Sequence, residues 1–134
     1  MAISFDKLVG FHHKALNLRN DRMEIIAGNL ANANTPGYKA KDLDFKQAMA
    51  SANYERTHKL TTTDSKHIKA QMQTNEAIMY RSPLQPDTGD GNDVDVQQER
   101  NAFLDTGMRY QVGIEFLNGK IKGLKKAISG GQGS

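Results

Sequence analysis

The stretch Gly28-Asn29-Leu30-Ala31-Asn32-Ala33-Asn34-Thr35-Pro36-Gly37-Tyr38-Lys39 constrains this chain most, because a long amphipathic helix must stop there. Pro36 has no backbone N–H to donate and pushes Thr35 out of the helical region. Pro36-Gly37 suits positions i+1 and i+2 of a type II turn, the second of which needs positive φ. Asn32 and Asn34 tolerate left-handed backbone and can bond the last open carbonyls of the helix. Tyr38 then leaves the turn in a fixed direction. On local physics alone, this is a helix end followed by a turn.

Upstream, residues 4–33 read as one helix. Val9, Leu16, Met23 and Leu30 recur at spacing seven, with Phe5, Leu8, Ile26 and Ala33 on the same face. Phe11, Leu18 and Ile25, also at spacing seven, form a second stripe on a separate face. The apolar arc is wider than that of an ordinary surface helix, so two stripes predict two packing partners. At 1.5 Å per residue such a helix is about 45 Å long.

A second long helix is predicted over residues 95–128. Asp95, with Gln98 three positions on, forms a capping-box signature. Tyr110, Ile114, Leu117, Ile121, Leu124 and Ile128 alternate spacings of four and three, and Val96 and Phe103 continue this a/d seam upstream. Leu104, Met108, Val112 and Phe116 make a second packing stripe at spacing four. Gly107, Gly113, Gly119 and Gly123 weaken the helix by up to ~1 kcal/mol each relative to Ala. Asn118-Gly119 is a hairpin signal, overruled because the seam runs through it unbroken. The glycines are expected to permit close helix approach. Residues 129–134 read as a Gly-rich tail.

Between the helices the pattern weakens. Residues 46–50 read as a short helix capped by Asp42 or Asp44. Residues 51–79 are polar and threonine-rich, and residues 80–92 are rich in proline, glycine and turn formers, a composition expected to order on contact with a partner. The reading is a mainly α chain of one domain. Residues 1–38 supply an N-terminal coiled-coil helix and turn motif, 39–92 a short helix with an extended, loop-rich middle segment, and 93–134 a C-terminal coiled-coil helix and tail. The two long helices are expected to pair as an antiparallel coiled-coil hairpin.

Composition narrows the function classes. The 134 residues hold no cysteine, which excludes disulfides and thiolate metal sites. No run approaches the ~20 apolar residues of a membrane-spanning helix, so no membrane insertion is expected. Met1-Ala2-Ile3-Ser4-Phe5-Asp6 lacks the charged and apolar regions of a cleaved secretory signal. The 18 basic and 15 acidic residues are interleaved, unlike a clustered nucleic-acid face. His12 and His13 diverge by about 100° on a helix, and His58 and His67 lie in the weakly patterned middle, so no metal site is expected. Asp87, Asp90, Asp93, Asp95 and Glu99 do not meet the EF-hand spacing with its glycine. No phosphate loop, nucleophile elbow or catalytic triad is present. No cofactor, small-molecule substrate or enzymatic activity is therefore expected.

Asn29-Leu30-Ala31-Asn32 followed by Thr35-Pro36-Gly37-Tyr38 resembles the N-terminal signature of the flagellar rod, hook and hook-associated axial proteins. Lys39-Ala40-Lys41-Asp42-Leu43-Asp44-Phe45, Thr63-Asp64-Ser65-Lys66-His67-Ile68 and Gly91-Asn92-Asp93-Val94-Asp95 narrow the resemblance to the proximal rod members of that group. Asp93 departs from it, standing where a small uncharged residue is expected, as do the extra glycines of the C-terminal helix. The resemblance implies a structural subunit whose terminal helices pair within the chain and pack on neighbours in a hollow helical tube that transmits torque. It also implies partners: other rod subunits, copies of itself, and the junction of the membrane ring with the export gate. The implied location is the extracytoplasmic, periplasmic side of the basal body, reached by type III export without a cleaved signal. The other reading of the residues is a soluble helical-hairpin adaptor that binds a partner helix.

Overall fold

The computed structural model describes residues 5–57, 77–83 and 89–130, with side chains described over 9–51, 77–83 and 89–130. In chain order the elements are α1 (Phe5–Ala31), β1 (Lys41–Leu43), α2 (Phe45–Thr57), β2 (Ile78–Tyr80) and α3 (Val96–Ile128). The chain is mainly helical, and its two long terminal helices pack against each other. His58, His67 and most of the stretch expected to order on partner contact lie outside the described residues.

Local chemistry accounts for the element ends. α1 stops at Ala31, and the Asn32 side chain donates to the Gly28 carbonyl at 2.9 Å. The Tyr38 amide then reaches back to the Thr35 carbonyl at 3.2 Å, closing a turn with Gly37 at φ +72°, as the type II reading requires. Asp44 starts α2 by accepting from the Gln47 amide at 2.9 Å, and the helix runs well past the expected residues 46–50. Asp95 starts α3 by accepting from the amides of Gln97 and Gln98 at 2.9 and 3.1 Å. α3 is continuous through Asn118-Gly119.

β1 and β2 form an antiparallel pair, with Leu43 opposite Ile78 and Lys41 opposite Tyr80. Three-residue strands are too short to show an alternating pattern, so periodicity did not reveal them. This pair and α2 cover one side of α1. Leu18, Leu43, Ala48, Met49 and Ala77 form a buried cluster, with Ala15, Ile25, Phe45 and Ile78 packed against it. Within the chain, the Leu18 and Ile25 part of the second stripe thus has a packing partner. The chain's own middle segment covers them, and of that stripe Phe11 remains 47% exposed.

The helix seam needs correction. Against α1, α3 presents Glu99, Thr106 and Gly113 at spacing seven. Glu99 and Thr106 are each 1% exposed, and a Cβ on Gly113 would lie 2.8 Å from Leu16 Cδ2. This column lies one residue before the expected Ile114, Ile121 and Ile128. The companion positions Tyr110, Leu117 and Leu124 are half-buried, as is Ile114, while Ile121 and Ile128 are exposed. The physical reason is close approach. The helices come together at a glycine and two small or bonded polar side chains, which hydropathy does not mark. Expected close approach at glycine holds for Gly113 but not at Gly119 or Gly123, where a Cβ would meet nothing within 4 Å.

Candidate functional site

Two features are built on this frame: a polar junction at the Gly28–Lys39 turn and an uncovered apolar face on α3.

The junction centres on Asn29, which is fully buried. Its Nδ2 donates to the Lys41 carbonyl at 2.7 Å and to Glu99 Oε2 at 3.1 Å. Its Oδ1 accepts from the Lys41 amide at 3.1 Å and the Tyr38 hydroxyl at 3.3 Å. One amide thereby joins α1, the turn, β1 and α3. Glu99 passes the connection on, because its Oε1 accepts from Arg81 Nη1. Arg81 Nη2 also donates to Asp42 Oδ2 at 2.8 Å, and Arg22 of α1 grips Asp42 with Nε and Nη2 at 2.9 and 3.0 Å. Two guanidiniums thus balance two carboxylates. No buried side-chain polar atom lacks a partner among the described residues, as a network at low dielectric demands.

Asn92 holds the turn from the other side. Its Nδ2 faces the carbonyls of Asn32, Ala33 and Thr35 at 3.0, 2.9 and 2.8 Å, in the turn that follows α1, where the Asn32 and Thr35 carbonyls also accept from the Thr35 and Tyr38 amides. Its Oδ1 accepts from the Val94 amide at 2.8 Å. The Gly37 amide donates to the Asp90 carbonyl at 2.9 Å. Asp93 accepts from the Ala40 amide at 2.6 Å and lies 3.8 Å from Lys39 Nζ. A carboxylate at this position therefore has local partners.

The structure thus brings Asn29, Asn32, Thr35, Gly37 and Tyr38 together with Asn92. Leu30 is half-buried, and Ala31 and Pro36 are exposed. The ion-pair roles of Arg22, Asp42, Arg81 and Glu99 carry no signal in the sequence pattern. Asp42, Asn92 and Asp93 lay within motifs that carried the resemblance. Glu99 reads locally as one of a set of acidic residues, and Arg81 has no local signal.

Burial raises the Asp42 carboxyl, but the hydrogen bonds from Arg22 and Arg81, the Arg22 charge and the Leu43 amide outweigh it. Its pKa is held below the ordinary value. A carboxyl depressed in the folded state contributes stability that is complete above its unfolded pKa and lost as pH falls through the folded value. The midpoint of urea unfolding should therefore fall as pH drops below about 4. The fall should be shallower in Asp42→Asn, and identical pH profiles would remove Asp42 from the linkage.

The second feature is Leu104, Met108, Val112 and Phe116. These side chains lie one turn apart on α3 and are 54–67% exposed. Phe116 sits at the edge of this face, its ring 5.0 Å from that of His12 on α1. On the α1 side, Val9 and Met23 are half-buried and Leu16 is buried. No group of three or more metal-ligating side chains occurs among the described residues. No described helix is long and apolar enough to cross a membrane.

The family described as Flagella basal body rod protein matches residues 11–39, the second half of which holds the junction turn. The chain is 52% identical over 132 residues to the flagellar basal body rod protein FlgB of Aeromonas hydrophila, covering 98% of this chain and 100% of the relative. The FlgB of Salmonella typhimurium strain LT2 is 43% identical over 133 residues, with 94% and 96% covered. That of Escherichia coli K12 is 39% identical over 138 residues, with 98% and 99% covered. Paired long helices, a bonded turn and these relatives define a structural component of the flagellar basal body rod, a class of building blocks rather than of enzymes. Within that class, the chain belongs to the FlgB family.

Proposed function

We propose that the chain is a subunit of the proximal rod, built by helix–helix packing into a hollow helical drive shaft that transmits torque. α1 and α3 act as an antiparallel coiled-coil hairpin. Support comes from their contacts, which run from His12 with Phe116, through Leu16 at Gly113 and Met23 at Gly107, to Asn29 with Glu99. The three segments 1–38, 39–92 and 93–134 work as one axial domain. The motif residues Asn29, Leu30, Ala31, Asn32, Thr35, Pro36, Gly37 and Tyr38 set the angle at which the middle segment leaves the helix pair. Val9, Leu16, Met23 and Leu30 pack across from Tyr110, Ile114, Leu117 and Leu124. The partners are other rod subunits, further copies of the chain, and the junction between membrane ring and export gate. The subunit works on the periplasmic side after export without a cleaved signal.

The observation that carries this reading is the face made by Leu104, Met108, Val112 and Phe116, joined by Phe11 on α1. Covering such side chains contributes about 1.5–3 kcal/mol each when burial is complete, so the face favours assembly without any new chemistry. Val112 is 67% exposed, so Val112→Asp should change the unfolding free energy of the isolated chain by no more than about 0.5 kcal/mol. In cells it should be made at normal levels and fail to enter basal bodies, leaving the cells non-motile. Normal incorporation of both Val112→Asp and Met108→Asp would sink the packing role of this face.

A further inference from the structure

Two surfaces of this chain match each other. The first is a hollow beside α1 lined by Asp21, Glu24, Ile25, Leu43 and Ile78. Three apolar side chains line it, together with two carboxylates three residues apart on α1. Among the described residues neither carboxylate has a cation partner. Desolvation, followed by the Glu24 charge, pushes the Asp21 carboxyl above its ordinary pKa, a sign that its charge is uncompensated.

The second surface is the end of α3. Ile121, Lys122, Lys125 and Ile128 fall within one arc of the helix. Ile121 is 39% exposed and Ile128 is 85% exposed, and both lysines are exposed. The charged side chains of residues 118–130 are all lysines, and none has an ion-pair partner among the described residues. The helix dipole accounts for lysines in the last turn, but not for an isoleucine left in water beside them.

The geometry points to a heterologous contact. We propose that the lysine–isoleucine end of α3 on one copy docks into the carboxylate-lined hollow of a second copy. Lys122 and Lys125 share the three-residue spacing of Asp21 and Glu24. A helix end laid along α1 therefore sets two lysines against two carboxylates while an isoleucine packs against Ile25, Leu43 and Ile78. The two surfaces are different patches of one chain, so the contact does not close at a dimer and repeats from copy to copy. This deepens the rod-subunit reading and rests on it for its setting.

Sedimentation of the full chain across a concentration series tests the contact. The wild-type chain should form species beyond a dimer. The pair Asp21→Lys with Glu24→Lys should weaken association by about tenfold or more, as should the pair Lys122→Glu with Lys125→Glu. Mixing the two reversed chains should restore association, because each then meets its complement. Carbodiimide coupling between isotope-labelled and unlabelled chains should join Asp21 or Glu24 of one copy to Lys122 or Lys125 of another. All four positions are half-buried or exposed, and circular dichroism confirms that the variants fold. Unchanged association in both reversed chains would overturn the contact. So would coupling of these carboxylates to lysines of the same chain, or a wild-type chain that stays monomeric up to about millimolar concentration. Any of these results leaves the rod reading standing on its own test at Val112.

Discussion

Arg81→Met should destabilise the isolated chain by about 3–5 kcal/mol, because it removes the one cation that, among the described residues, is bonded to a fully buried carboxylate. Glu99 is 1% exposed and its Oε1 accepts from Arg81. Without Arg81 its remaining hydrogen-bond partner among the described residues is the neutral Asn29 amide. Asp42 suffers less, since Arg22 still holds both of its oxygens. The contrast lies in the double variant. Arg81→Met with Glu99→Met removes both charges and replaces them with apolar side chains of similar length, a change that is often close to neutral. It should recover most of the loss, short of the hydrogen bond that Asn29 gives to Glu99 and the one that Arg81 gives to Asp42. Urea unfolding followed by circular dichroism measures the cycle, and the single variant should also melt roughly 10–20 °C lower. A single variant as stable as wild type would show that water reaches the Glu99 carboxylate, and the junction would lose its role as a buried latch.

Gly113→Leu should cost about 3 kcal/mol through overpacking where the long helices approach closely. A Cβ there would already sit 2.8 Å from Leu16 Cδ2 and 3.1 Å from Arg19 Nη1. Leu16 is buried, and Arg19 is held by the Arg109 carbonyl and by the Phe45 ring, 5.5 Å away. A larger side chain therefore pushes α3 away and disturbs contacts with α2 through Arg19. Gly119→Ala and Gly123→Ala provide the opposite sign. Nothing lies within 4 Å of a Cβ at either position, so each should stabilise the helix by about 0.5–1 kcal/mol. Thermal unfolding of the three variants would separate close approach from helix propensity. A stabilised Gly113→Leu would mean that the helices do not meet at this glycine.

Much of the frame was legible in the residues themselves. The spacings in α1 and α3, the Asp95 cap, and the stop at Pro36-Gly37 are local signals, each set by residues within a few positions of one another. They foretold two long helices and the turn between α1 and β1. The same spacings marked Leu104, Met108, Val112 and Phe116 as an apolar stripe, which the structure leaves exposed.

What only the tertiary structure decided is which side of each helix meets what. Hydropathy marks apolar side chains, so it placed Ile114, Ile121 and Ile128 in the seam and passed over Glu99, Thr106 and Gly113. Glu99 can be buried only because Arg81 and Asn29, 18 and 70 residues away, arrive to satisfy it. Gly113 matters for the atom it lacks, which has meaning only once Leu16 lies opposite. Leu18 and Ile25 proclaimed an apolar face from their spacing alone. That the chain's own strand pair and α2 cover this face depends on a register between residues 43 and 78. Periodicity reports what a segment needs to bury, and long-range hydrogen bonding and packing determine what buries it.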